Sequence, residues 1–293
     1  MSALQRPNDR LRRRRAVNRG MELLAWLASA LGVAILGVVV WSVAKRGASE
    51  LNLDLLTKVP VPFAIGNVKQ GLANAFVGSL VVVGLATAMA VPFGILVAIY
   101  VNEFAPRAIR NGVGLVLDVL NGVPAIVVGI FVFGLVVVSH GQSAYAGAFA
   151  LAVLMLPLVA RATIEVLALV PSTLREASLG LGVTRWRTTL GIVLPQTVGG
   201  IVTGTMLAVA RVSGETAPLL FTCSLAGTSI DSNPGHALQT VPVAIFELSE
   251  SADPADHARA WAAALVLLLF ILFSSLTARW LAARSRRKLG RAT

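Results

Sequence analysis

Six stretches of this chain are each apolar over the roughly 20 residues that a helix needs to cross a bilayer. They cover about 21–44, 73–100, 113–138, 144–170, 199–221 and 258–281. Any fold has to house them. Only helices and closed barrels satisfy the backbone in lipid, and runs of this length read as helices. An all-α membrane protein with six transmembrane helices is therefore expected. Composition agrees, with 56% of the 293 residues hydrophobic and 13% charged, where soluble domains carry about a quarter. The first stretch imitates a secretory signal, with Arg12 to Arg15 ahead of it and Ser42-Val43-Ala44 as a cleavage-like end. At Met21 to Ala44 it exceeds the roughly 7–15 residues of a signal core, so a retained span is expected.

Lys and Arg set the orientation. The N-terminal tail carries seven, the connector 101–112 carries Arg107 and Arg110, and the C-terminal tail carries six, Arg279 through Arg291. The 171–198 loop carries Arg175, Arg185 and Arg187, whereas 139–143 and 222–257 carry none and 45–72 carries four. The alternation puts both termini in the cytoplasm. The expected organisation is a basic tail (1–20), a first span (21–44), an outer loop (45–72), a core of five spans (73–281) and a basic tail (282–293). That core includes a cytoplasmic loop at 171–198 and an acidic outer loop at 222–257, within which Val241 to Leu248 is expected to lie flat at the interface. The net charge of +11 does not point to nucleic acid, because the Arg clusters flank apolar spans instead of forming one basic face. A single Cys223 excludes an internal disulfide, and no metal cluster is indicated.

One polar island interrupts this pattern. In Leu174 to Pro195, LREASLGLGVTRWRTTLGIVLP, Glu176-Ala177-Ser178 precedes Gly182, and nine residues later come Ile192, Leu194 and Pro195. Small side chains at Ala177 and Ser178 let a short helix lie close to another protein. Gly182 suits the left-handed turn that ends such a helix, and Pro195 is expected to stop the next one. The spacing resembles the E-A-A-x-x-x-G-x9-I-x-L-P loop of ABC importer permeases, with Ser178 for the second Ala. That resemblance implies a helix-turn-helix docked into a separate ATPase.

Ionisable residues also sit deep in the apolar sequence. Arg161 and Glu165 are four apart in the fourth span, as are Arg211 and Glu215 in the fifth, so each pair shares a helical face. At about 1.5 Å rise per residue, Arg211 lies roughly 18 Å from the cytoplasmic start of its span and Arg161 roughly 15 Å from the cytoplasmic end of its own. Both are thus expected near the midplane at matching depth. Holding a charge there costs at least about 2.5 kcal/mol, and such residues face a bundle interior or a watery cavity. A self-neutralising Arg–Glu pair is the plain alternative. Two guanidinium forks suit an oxyanion better, with Thr163, Ser213 and Thr216 as further hydroxyl donors. Asn121-Gly122-Val123-Pro124 offers a helix break that would line such a path.

Arg211 to Thr222, RVSGETAPLLFT, resembles the phosphate-specific ABC importer permeases of the PstA type. Leu156-Pro157, Arg161, Thr163, Glu165 and Leu169-Val170-Pro171 support it, with Ala162 and Ile164 as departures, and so do Pro242 to Phe246 and Trp261-Ala262. The resemblance implies a type I importer (MetI-like) fold in a bacterial inner membrane, with Arg161 and Arg211 in the phosphate path and Glu215 beside them. It implies four partners besides phosphate and the lipid bilayer: a homologous second permease (PstC type), two copies of an ATPase (PstB type) and a phosphate-binding protein (PstS type). No G-x4-G-K-[ST] run is present, so ATP and Mg are expected on the ATPase, with no cofactor in this chain. A permease for molybdate or sulfate would share the loop without GETAPLLFT. A channel or secondary transporter would need no ATPase.

Overall fold

A computed structural model describes residues 9–61, 70–224 and 227–289, with the side chains of 9–12, 282 and 284–289 left aside. The ends of both basic tails and Pro62 of the first outer loop lie outside the described residues. The described chain is all helix: α1 (Asp9–Gly47), α2 (Leu53–Thr57), α3 (Ala73–Phe104), α4 (Arg107–Gly122), α5 (Ala125–His140), α6 (Ala144–Ala168), α7 (Ser172–Gly180), α8 (Arg185–Val212), α9 (Ala217–Thr222), α10 (Val241–Ser249) and α11 (Pro254–Leu289). Five of these are long and apolar enough to cross a membrane.

The expected third span, 113–138, is instead two helices. α4 and α5 meet at 94°, and they count as a sixth span only if the bent pair is taken together. Pro124 has no N–H to donate to Leu120 and forces the residue before it out of helical geometry. Val123 is accordingly extended, at φ −68° and ψ 128°. The expected fifth span is broken too, since α8 ends at Val212 and α9 starts at Ala217 after the Ser213–Thr216 linker.

Pro195, by contrast, stops nothing. It sits inside a helical run that passes unbroken from Arg185 to Val212. A π-helical turn over Thr189–Val193 directly precedes it, and the widened winding takes up the carbonyl that the proline leaves unpaired.

Helices approach closely along particular runs of small residues. On α3 every fourth position from Gly78 through Val82, Ala86, Ala90 and Gly94 to Ala98 is buried. This is the small-residue seam of membrane helix pairs, and it packs on α6, where Ala144, Ala148, Leu151, Ala152, Met155 and Val159 complete one core with Ala208 and Val212 of α8. On α8, Gly200 and Gly204 face Val166 and Ala162 of α6. A Cβ on Gly204 would stand 2.6 Å from the Ala162 Cβ. Gly204→Leu should therefore destabilise the fold by about 3 kcal/mol, the upper range for overpacking, read as a lowered unfolding temperature in detergent. Gly37→Leu on α1, where nothing lies within 4 Å, should leave that temperature unchanged.

α1 stands apart, packed on α11 with the Arg46 guanidinium 5.0 Å from the Trp261 ring centroid, while its apolar stretch is otherwise exposed. α10 is packed into the bundle. Val241, Val243 and Ala244 are buried against α3 and α11, because its apolar residues match the groove that those helices leave. The acidic loop around α10 is partly internal. Gln239 Nε2 donates to Glu247 Oε2 at 2.6 Å, and burial pushes the Glu247 carboxyl above its ordinary range, with the Gln239 bond partly offsetting this. Arg259 pairs with Asp256 and donates to Gln70 Oε1 at 2.5 Å.

Candidate functional site

The two helix breaks lie against each other. α9 packs on α5 so closely that a Cβ on Gly129 would stand 2.6 Å from the Pro218 Cα, and that contact holds the α4–α5 corner beside the Ser213–Thr216 linker. Between the breaks lies a cavity of about 60 Å³ lined by Leu120, Asn121, Val123, Ala125, Leu154, Leu158, Arg211, Val212 and Glu215. It joins a guanidinium, an amide and the first residue of α5. A helix start carries positive potential and free backbone N–H groups, so two sources of positive field share one small seat. Discontinuous helices whose ends meet near the middle of a membrane are how transporters build sites for small ions. The volume holds a few waters and is tight for a hydrated oxyanion, so the seat is nearly closed in this state.

Arg211 and Glu215 both border this cavity, although they are not bonded to each other. Arg211 is exposed at the surface of the single chain and makes no ion pair among the described residues. A free charge on a lipid-facing surface is very costly, so this face belongs against water or another subunit. Thr216 caps the start of α9 beside the cavity, its carbonyl accepting from Leu219 N and Leu220 N at 3.1 Å each. Ser213 goes elsewhere. Its hydroxyl donates to Val209 O at 2.7 Å, and the residue lines a separate apolar cavity with Phe76, Val83 and Phe270. Thr163 is buried inside the bundle and does not reach the Arg211 cavity.

Arg161 makes no bond to Glu165, which is exposed one turn further along the same helix. It crosses to α4, where Nη2 pairs with the Asp118 carboxylate and donates to Gly114 O at 2.6 Å. The two arginines accordingly lie against different turns of α4. Arg211 meets α4 at Leu120 and Asn121, and Arg161 meets it at Gly114 and Asp118, an offset of roughly 5–10 Å along the helix.

Asp118 is the residue that the pairwise reading of the sequence overlooked. Pairs within one helix were weighed, and its partner lies on another. The signal was there as periodicity: Arg107, Arg110, Asn111, Gly114, Asp118 and Asn121 recur at helical spacing and form one polar stripe along an otherwise apolar α4.

The 174–195 loop forms the expected helix-turn-helix. α7 ends in a Schellman turn, with Gly182 at φ +78°, Val183 N donating to Ser178 O at 3.2 Å and Gly182 N to Leu179 O at 3.0 Å, which is the pattern that suits glycine at this position. Glu176 and Ala177 are exposed, as are Leu179, Leu181 and Trp186. Ser178 is not part of that outer surface. It is buried, its hydroxyl 2.8 Å from Thr188 Oγ1, and it closes the two helices on each other. Leu194 packs in the core beneath with Val193 and Leu167, while Pro195 is exposed.

The loop is tied rigidly to the bundle. Arg175 grips both oxygens of Glu103, at 3.1 Å and 2.7 Å, and donates to Leu167 O at 2.9 Å and Val170 O at 2.6 Å. Glu103 belongs to the π-helical end of α3, so Arg175 links α7 to α3 and to the end of α6. A cavity of about 540 Å³ opens beside this tie, lined among others by Arg110, Arg175, Glu176, Leu179 and Arg185.

Residues 90–287 match the family described as binding-protein-dependent transport system inner membrane component. The chain is 37% identical over 279 residues to the phosphate transport system permease protein PstA of Xylella fastidiosa, covering 94% of this chain and 96% of that protein. It is 37% identical over 263 residues to PstA of Haemophilus influenzae, covering 88% and 91%. It is also 41% identical over 223 residues to PstA 1 of Mycobacterium tuberculosis, covering 74% and 72%. Among solved structures, the fold is similar to that of the inward-facing MetNI methionine ABC transporter, with TM-score 0.56 and 16% identity over 73% of this chain and 93% of that one. It is also similar to a chain of a bacterial alginate ABC importer, with TM-score 0.55 and 18% identity over 92% and 98%.

Proposed function

This chain belongs to the binding-protein-dependent transport system inner membrane components, in their phosphate permease branch, and on that premise we propose that it forms half of an ATP-driven pore for inorganic phosphate. It is a transport subunit of the inner membrane with the MetI-like permease fold. The observation that carries the site is the cavity between two broken helices, where an unpaired Arg211 faces the start of α5 beside Asn121 and Glu215. Phosphate is held there by charge-assisted bonds that replace part of its hydration.

Arg211 and Arg161 are the cationic steps of the path, with Glu215 and Thr216 at the first of them. Its other wall, against the exposed face of Arg211, comes from a homologous PstC-type permease. The chain has no nucleotide-binding loop of its own, so ATP and Mg sit on a PstB-type ATPase dimer that docks on Glu176, Ala177 and the apolar surface of the turn. With the loop facing the cytoplasm, as the positive-inside count requires, a PstS-type binding protein delivers phosphate from the other side. Closure of the ATPase dimer moves α7, and the Arg175–Glu103 tie passes the motion to α3 and α6. The breaks at 123–124 and 213–216 then open in turn to either side.

The direct test is uptake of radiolabelled phosphate into proteoliposomes that hold all four components, with ATP inside or omitted. ATP-dependent accumulation that excess sulfate or molybdate does not suppress is expected. Suppression by either oxyanion would move the assignment to a sister importer, and uptake without ATP would make the protein a channel or secondary transporter.

A further inference from the structure

We propose that Asp118 is the resident counter-anion of Arg161, holding its guanidinium while the path is empty and yielding it to the passing oxyanion. The inference rests on the phosphate-path reading and adds a residue to it. Asp118 and Arg161 come from different helices, α4 and α6, and among the described residues Arg161 is the ionic partner of Asp118. The two ends of this pair are held very differently. The Asp118 side chain is 63% exposed and that of Arg161 is 30% exposed, so the carboxylate swings away without unpacking anything, whereas Arg161 is tethered to Gly114 O.

Asp118 also uses the fork badly. It engages Nη2, and the neighbouring Arg161 Nε is buried with no hydrogen-bond partner. Nε and Nη2 form the two-pronged edge that a phosphate oxygen pair fits. An oxyanion taking Asp118's place satisfies the orphaned Nε as well as the charge, and the exchange swaps one anion for another at a half-buried cation. That gives the anion a reason to enter.

The displaced carboxylate gives it a reason to leave. Asp118 remains beside the bound anion and repels it, and conduction needs a site that releases. The direction of travel is set by the polar stripe of α4. It runs from Asn121 at the Arg211 cavity, through Asp118 and Gly114, to Asn111, Arg110 and Arg107 at the end that leads into the 174–195 side of the molecule. Asp118 stands midway along this lane, one step past the first arginine.

The experiment compares the assembled permease–ATPase complex in nanodiscs, without binding protein, as wild type, Asp118→Asn, Asp118→Glu and Arg211→Ala. Equilibrium binding of radiolabelled inorganic phosphate is measured, and turnover is measured separately with the binding protein restored. Asp118→Asn keeps the shape, removes the competing charge, and should bind phosphate roughly tenfold to a hundredfold more tightly, the scale of one charged hydrogen bond. Its turnover should fall over the same range because release slows, and Asp118→Glu should behave as wild type. A merely structural pair would move both measurements down together, or abolish assembly, and either result overturns the proposal. Equal binding by wild type and Asp118→Asn overturns it too while leaving the phosphate path standing. No phosphate binding by any of the four, at millimolar phosphate, sinks the path and this inference with it.

Discussion

Arg211→Ala should abolish phosphate uptake, by at least about a hundredfold, in a complex that still assembles and melts at the wild-type temperature. The two halves of that result have separate causes. Charge-assisted hydrogen bonds contribute about 1.5–3 kcal/mol each, so losing a two-pronged grip removes enough to cost two decades or more in transport. Stability is spared because Arg211 is exposed on the single chain and makes no ion pair among the described residues, and substitutions away from packed or paired groups stay within about 0.5 kcal/mol. Arg211→Lys should recover part of the uptake, since a point charge replaces the field of the guanidinium and not its planar fork. Uptake by Arg211→Ala at the wild-type rate would remove the anion seat from this cavity.

Glu176→Lys should uncouple transport from ATP hydrolysis while leaving phosphate binding untouched. Glu176 is exposed on α7 and lines the cavity of about 540 Å³ shared with Arg110, Arg175 and Arg185. A positive charge there joins three others on a face that must accept the ATPase, and like charges brought together at an interface cost several kcal/mol. Phosphate-stimulated ATP hydrolysis should drop at least tenfold, and the ATPase should dissociate more readily at low salt, where repulsion is least screened. The membrane fold has no stake in this residue, because it is Arg175, and not Glu176, that ties α7 to Glu103 and to the end of α6. Normal transport by Glu176→Lys would detach the lever role from this helix. A parallel loss of phosphate binding would mean that the substitution had spread into the bundle.

Chain order and periodicity carried the local information. The apolar lengths gave the helices, and the Glu176–Gly182 spacing gave a helix ended by a left-handed glycine, confirmed at φ +78°. Pro124 breaks a stretch expected as one span over 113–138, although Asn121–Pro124 offered the break, whereas Pro195 stops nothing, because the π-helical turn before it absorbs the missing hydrogen bond. A proline's effect depends on winding several residues away, and residue type alone does not record that.

The candidate site divides along the same line. Sequence determined that guanidinium groups sit within apolar helices at Arg161 and Arg211, because charge and hydropathy are properties of single positions and of the windows around them. Only the tertiary structure decided which groups each arginine meets. It sent Arg161 across to Asp118 instead of to Glu165, turned Ser213 away from Arg211, and set the two arginines against different turns of α4. The reason is physical: spacing along one helix fixes which residues share a face, but which face looks at which neighbour is set by the packing of small-residue seams between helices far apart in the chain.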